Sequence, residues 1–141
     1  MKVYLVLATL LIALVACEKK PVNPLVGIWK SDAKKSLASM NQAGDVSAEA
    51  RELFENDFFG HLFIEYTETE SRSWLDNDEL ESDFEPYEVV EIGASHVTMR
   101  SYDELFGEDS DLTAFLEDDC YYVLTSKFNF KEYFCREANG T

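Results

Sequence analysis

The sequence predicts a mainly β domain, an antiparallel meander of about eight strands curled into a barrel or half-barrel, with one short helix pair near its start. Two observations carry this expectation. From His61 onward apolar residues recur at every second position in short runs separated by turn-forming residues, which is the strand period. Between residues 32 and 60 the apolar spacing is instead helical and is bracketed by capping residues.

Taken in order, the first strand is Leu25-Val26-Gly27-Ile28-Trp29. Asp32 is placed to cap a helix over Ala33–Gln42, where Ala33, Leu37 and Met40 fall on one face and Gly44 offers a stop. Ser47 caps a second helix, Ala48–Phe58, with a stripe of Ala50, Leu53, Phe54 and Asp57-Phe58 ending before Gly60. In the next run Leu62, Ile64 and Tyr66 alternate with Phe63, Glu65 and Thr67, and Ser71–Leu75 follows with Trp74 beside Arg72. Pro86 precedes Tyr87–Ile92, Gly93-Ala94-Ser95 turns the chain, and His96–Tyr102 sets Val97 and Met99 against Thr98 and Arg100. Leu112–Leu116, Cys120–Thr125 and Asn129–Cys135 complete eight segments at hairpin spacing, which favours closure of the meander.

Gly27-Ile28-Trp29 resembles the Gly-x-Trp signature that opens the first strand of lipocalins and their calycin relatives. That resemblance implies a tryptophan closing one end of a barrel and an arginine from near the last strand packed across it, for which Arg136 is the candidate. A buried tryptophan at the start of any sandwich or barrel is the alternative, and it also implies a β core. A helix pair between the first and second strands is similar to that of fatty-acid-binding proteins, where it lids the barrel mouth; a simple plug of one sheet end is the other reading.

The N-terminus carries a different signal. Lys2 precedes the apolar run Val3–Val15, too short for a bilayer span of about 20 residues but suited to a signal h-region. Leu14-Val15-Ala16-Cys17 resembles the lipobox of bacterial lipoproteins, which implies cleavage after Ala16 and lipid on Cys17. Glu18 rather than Asp at the following position resembles outer-membrane sorting, so the expected location is the cell envelope, lipid-anchored and facing the periplasm. The chain is then expected to divide into a signal peptide (1–16), a lipidated cysteine and tether (17–24), one domain (25–137) and a frayed end (138–141). The tether Glu18-Lys19-Lys20-Pro21-Val22-Asn23-Pro24 keeps the domain within about 30 Å of the bilayer.

The formal charge is −16, and removal of residues 1–16, which deletes only Lys2 among charged residues, makes it −17. Such a balance argues against nucleic acid, whose affinity rests on cations at phosphate, and against lying flat on anionic lipid. It suits solubility, or a basic partner. The acidic stretch Asp76-Asn77-Asp78-Glu79-Leu80-Glu81-Ser82-Asp83 begins like a calcium loop, but Leu80, Glu81 and Tyr87 stand where a ligand, the glycine and the bidentate glutamate belong. Asp103-Glu104 through Glu108-Asp109-Ser110-Asp111 reads as a second acidic loop without metal-site spacing, and no metal or cofactor is expected.

Beyond Cys17, an exported chain leaves Cys120 and Cys135 to pair. A hairpin turning between Lys127 and Phe128 sets them opposite each other, with Tyr121 against Phe134 and Tyr122 against Tyr133, so a cross-strand disulfide is expected; two free thiols, one buried, are the alternative.

No nucleophile elbow, phosphate loop, His-Glu-x-x-His or Cys-x-x-Cys occurs, and His61 and His96 are placed to end strands, so an enzyme is not expected. The C-terminal Asn139-Gly140-Thr141 matches a glycosylation sequon without that meaning in a bacterial lipoprotein. Two functions remain open. One is a binding module for a small apolar or amphipathic ligand lined by Phe63, Tyr66, Trp74, Met99, Phe115 and Tyr122. The other is an acidic module that clamps a basic partner protein.

Overall fold

The computed structural model describes residues 21–77, 82–104, 107–125 and 127–137; Cys17, the lipobox and the C-terminal sequon lie outside them. The chain forms a closed antiparallel barrel of eight strands in simple meander order, a lipocalin-like architecture. The strands are β1 (Gly27–Ser31), β2 (Leu62–Tyr66), β3 (Glu70–Leu75), β4 (Glu85–Ile92), β5 (His96–Asp103), β6 (Glu108–Glu117), β7 (Cys120–Leu124) and β8 (Lys131–Arg136). Helices α1 (Ala33–Gln42) and α2 (Ala48–Leu53) lie between β1 and β2. Among the described residues no helix is long and apolar enough to cross a membrane.

Closure comes from β1 pairing on both sides, with Gly27↔Tyr66 toward β2 and Trp29↔Arg136 toward β8. Carried strand by strand around the sheet, the registers return to β1 displaced by about twelve residues. An eight-stranded barrel of shear 8 is filled solid by its own side chains. The larger shear tilts the strands further and widens the interior.

The end where β1 begins and β8 finishes is packed tight. Leu25, Trp29, Tyr66, Val97, Met99, Ala114, Tyr121 and Phe134 form one buried cluster there. The Trp29 indole meets Tyr121 edge-on at 4.9 Å and donates its N–H to the Leu25 carbonyl at 2.6 Å. The Arg136 guanidinium covers the outer side of that indole at 4.3 Å and donates to the carbonyls of Pro24 and Val26. Asn23 is buried beneath them: its side-chain oxygen accepts from the Leu25 N–H and its amide donates to the Tyr87 hydroxyl. The folded unit therefore takes in Asn23 and Pro24, two residues assigned to the tether from sequence.

At the opposite end, α1 does the work of a strand. Beyond Ser31, β1 no longer covers β8, so the Tyr133 and Lys131 N–H groups lack a strand partner; Ser36 and Ser39, one turn apart on α1, accept them at 2.9 Å each. Asp32 and Ser47 cap the two helices at the third following N–H, as their positions predict. The second helix is shorter than expected, giving way after Leu53 to a π-helical turn, Phe54–Phe58. That turn swings Phe54 and Phe59 onto Phe130, forming a second cluster with Met40, while Leu53 is left half-exposed. The helix pair thus packs over the β8 side of the open end and contributes nothing to the main cluster.

Other boundaries moved as well: β1 runs Gly27–Ser31 rather than Leu25–Trp29, and β4 starts at Glu85 and takes in Pro86. Residues 108–111 are strand rather than acidic loop, because the long β5–β6 ladder continues to Asp103↔Glu108 and Arg100 pairs with Asp111 across it. Asn129, at φ 52°, belongs to the β7–β8 turn, so β8 starts at Lys131. Cys120 and Cys135 are directly opposed and bonded, in the register expected for that hairpin.

Candidate functional site

Strand alternation sorts side chains into lumen and outer surface. Inward positions follow from the buried cluster: Ser31 on β1, Leu62 and Ile64 on β2, Ser73 and Leu75 on β3, Tyr87 and Val89 on β4, Met99 and Ser101 on β5, Ser110, Leu112 and Ala114 on β6, Tyr121 and Val123 on β7, and Glu132 and Phe134 on β8.

Of the six residues expected to line a ligand pocket, only Tyr66 and Met99 face the lumen. Phe63 and Trp74 are paired on the outer face, stacked at 5.2 Å, with Lys30 over one ring and Arg72 over the other. Phe115 and Tyr122 are likewise stacked outside at 5.1 Å, with Lys131 over Tyr122. These four are corrected to surface ladders. Period two puts neighbours of an inward residue outside, where the cationic groups of Lys30, Arg72 and Lys131 lie over the rings of Phe63, Trp74 and Tyr122.

The lumen itself changes character along its length. On β6, Ala114 is fully buried, whereas Leu112, one inward position nearer the open end, is 42% exposed. Ser101 and Ser110, next along that face, are exposed, and Leu62, Ile64, Ser73, Leu75, Val123 and Glu132 are all partly accessible. Met99 and Ala114 therefore form a floor, with a solvent-reached chamber above it. In that floor the Tyr66 and Tyr121 hydroxyls meet at 3.3 Å. Burial first, then the charges of Tyr66 and Glu132, raises the Tyr121 phenol well above its usual value.

The sequence reading missed Glu132. It faces inward opposite Val123, and no hydrogen bond or ion pair reaches its carboxylate from the described residues. Burial alone pushes that carboxyl up to about 7. Ser31, also inward and 3% exposed, has a hydroxyl oxygen without a partner. The detectable signal was a charged residue between Phe130 and Phe134 at the core-facing period of a strand.

Neither histidine enters the lumen: His61 Nδ1 lies 2.6 Å from Asp76, and His96 begins β5 with its ring against Gly93. No cluster of metal-ligating side chains occurs among the described residues. A groove of about 510 Å³ lies at the closed end between Pro21–Asn23, the Glu68–Thr69 turn and β4, where Tyr87, Val89 and Ile92 reach it from the inward face.

Comparison with protein-family models, curated proteins and solved structures gives no match.

Proposed function

We propose that the protein is a binding module that holds a small amphipathic molecule in the open half of its barrel. The observation that carries this reading is Leu112, an inward-facing leucine opposite Met99 and one inward position beyond Ala114, left 42% exposed. A leucine kept in water within a barrel loses about 25 cal/mol for each Å² left uncovered, which an apolar ligand body would recover. Leu62, Ile64 and Val123 supply the facing walls.

The same reading includes attachment to the cell envelope through lipid on Cys17, supported by the lipobox resemblance. Asn23 is fixed at the closed end, so only about 20 Å of chain separates it from Cys17. An anchor there holds the closed end toward the membrane and turns the mouth away from it, giving access to solutes of the surrounding compartment. Replacement of Cys17 by Ser is expected to move the protein from the membrane to the soluble fraction.

Leu112→Trp fills the open half of the barrel beside Met99. Saturable uptake of an eight-carbon alkyl probe, read by titration calorimetry, is expected in the native protein and in Phe63→Ala, and is lost in Leu112→Trp. Uptake that survives Leu112→Trp, or no uptake of octanol, octylamine and octanoate alike, overturns the reading.

A further inference from the structure

Glu132 is the one ionisable side chain on the inward face of β8 at the height of the chamber, and no other described residue pairs with it. A carboxylate drawn partly out of water without a partner is a standing cost that structures reduce by pairing or hydrogen bonding. Nothing in the barrel does so: among the described residues no Lys or Arg occupies an inward strand position in the open half, since Lys30, Arg72, Arg100 and Lys131 all lie on the outer face and Arg136 is at the closed end. The buried hydroxyl of Ser31 is the second polar group left without a partner on this surface. Ser31 pairs with Phe134, and Glu132 is the next inward residue along the same strand, so the two line adjacent positions of the wall.

The approach to the chamber has the same sign. Glu108 occupies an inward position of β6 toward the mouth, Glu85 continues the inward face of β4 beyond Tyr87, and both are exposed. Such a rim raises the local concentration of cations and repels carboxylates. A fatty acid would bring its anion to an unpaired anion, with no inward cation to receive it.

Resting on the binding reading above, we propose that the ligand is an amphipathic amine, its ammonium group paired with the Glu132 carboxylate and hydrogen-bonded to Ser31, its apolar body against Leu62, Ile64, Leu112 and Val123. The elevated carboxyl of the empty barrel fits this assignment, because a bound ammonium supplies the counter-charge that burial withholds.

The test uses octylamine, octanol and octanoate, which share one chain and differ only in the head group. The native protein is expected to bind octylamine at least about tenfold more tightly than octanol, with octanoate weakest. Glu132→Gln is nearly isosteric and removes a buried charge, so it folds; it should bring octylamine to the octanol level and leave octanol unchanged. Glu68→Gln, which removes an equal charge at the closed end, should leave the octylamine preference intact. Equal binding of octanol and octylamine, preference for octanoate, an unchanged preference in Glu132→Gln, or an equal loss in Glu68→Gln each overturns the amine assignment while leaving the binding module standing. Failure of all three probes removes both.

Discussion

Arg136 lies across Trp29, its guanidinium 4.3 Å from the ring centre, while its two terminal nitrogens donate to the backbone of Pro24 and Val26. One side chain thus ties the last strand, the first strand and the segment leading into it together. Gly27 makes room for it, since a Cβ there would stand 2.9 Å from Arg136 Nη1 at a φ of +131°. Arg136→Lys keeps the charge but loses the planar fork, and is expected to lower unfolding free energy by about 1–2 kcal/mol. Gly27→Ala should cost about 1–3 kcal/mol, because strain and displacement of Arg136 act together. Denaturant midpoints check both, and native-like values for Gly27→Ala would show that the cap tolerates movement.

Glu132 predicts an inverted dependence of stability on pH. Below the ordinary glutamate value of 4.5 both folded and unfolded chains hold the proton. Between 4.5 and about 7 the unfolded chain releases it while the fold retains it, so stability falls as pH rises; above about 7 the full loss, roughly 3 kcal/mol, is in place. Glu132→Gln should match the native protein at pH 4 and exceed it by that amount at pH 8. Urea unfolding of both proteins at the two values measures the difference, and equal stabilities at pH 8 would place Glu132 in water.

Ser36→Ala removes the acceptor for the Tyr133 N–H at a fully buried position. Leaving that donor unsatisfied is expected to cost about 1–3 kcal/mol, and the Tyr133 amide should exchange its hydrogen faster than its neighbours on β8. Unchanged exchange would mean that another acceptor takes its place.

The Cys120–Cys135 bond closes a loop with a sequence separation of 15. The double replacement Cys120→Ser, Cys135→Ser is expected to lower stability by about 2–3 kcal/mol without opening the barrel, since the flanking Tyr121↔Phe134 pair is held by packing. A reducing agent should shift the native midpoint to the double variant's value, and no shift would mean that the bridge adds no stability.

Strand number, helix caps and the β7–β8 register were legible in the sequence because each depends on neighbours in the chain. Period two marks a strand, Asp32 and Ser47 reach a donor three residues on, and a single hairpin sets Cys120 opposite Cys135. The acidic start of β6 was not legible, since Glu108 to Asp111 are poor strand formers held in place by the ladder to β5.

Which face looks inward was decided only by the tertiary structure. β2 and β7 carry apolar or aromatic residues on both faces, as in Leu62-Phe63-Ile64 and Tyr121-Tyr122-Val123, so alternation alone cannot say which set fills the barrel. Closure around Trp29 turns Ile64 and Tyr121 in, and leaves Phe63 and Tyr122 outside beneath Lys30 and Lys131. The same closure seats Glu132 against the chamber. Residue type and spacing specify local structure, but the surroundings of a side chain depend on strands far away in sequence, and those surroundings give an ordinary surface-type glutamate a raised carboxyl that no described residue pairs inside the barrel.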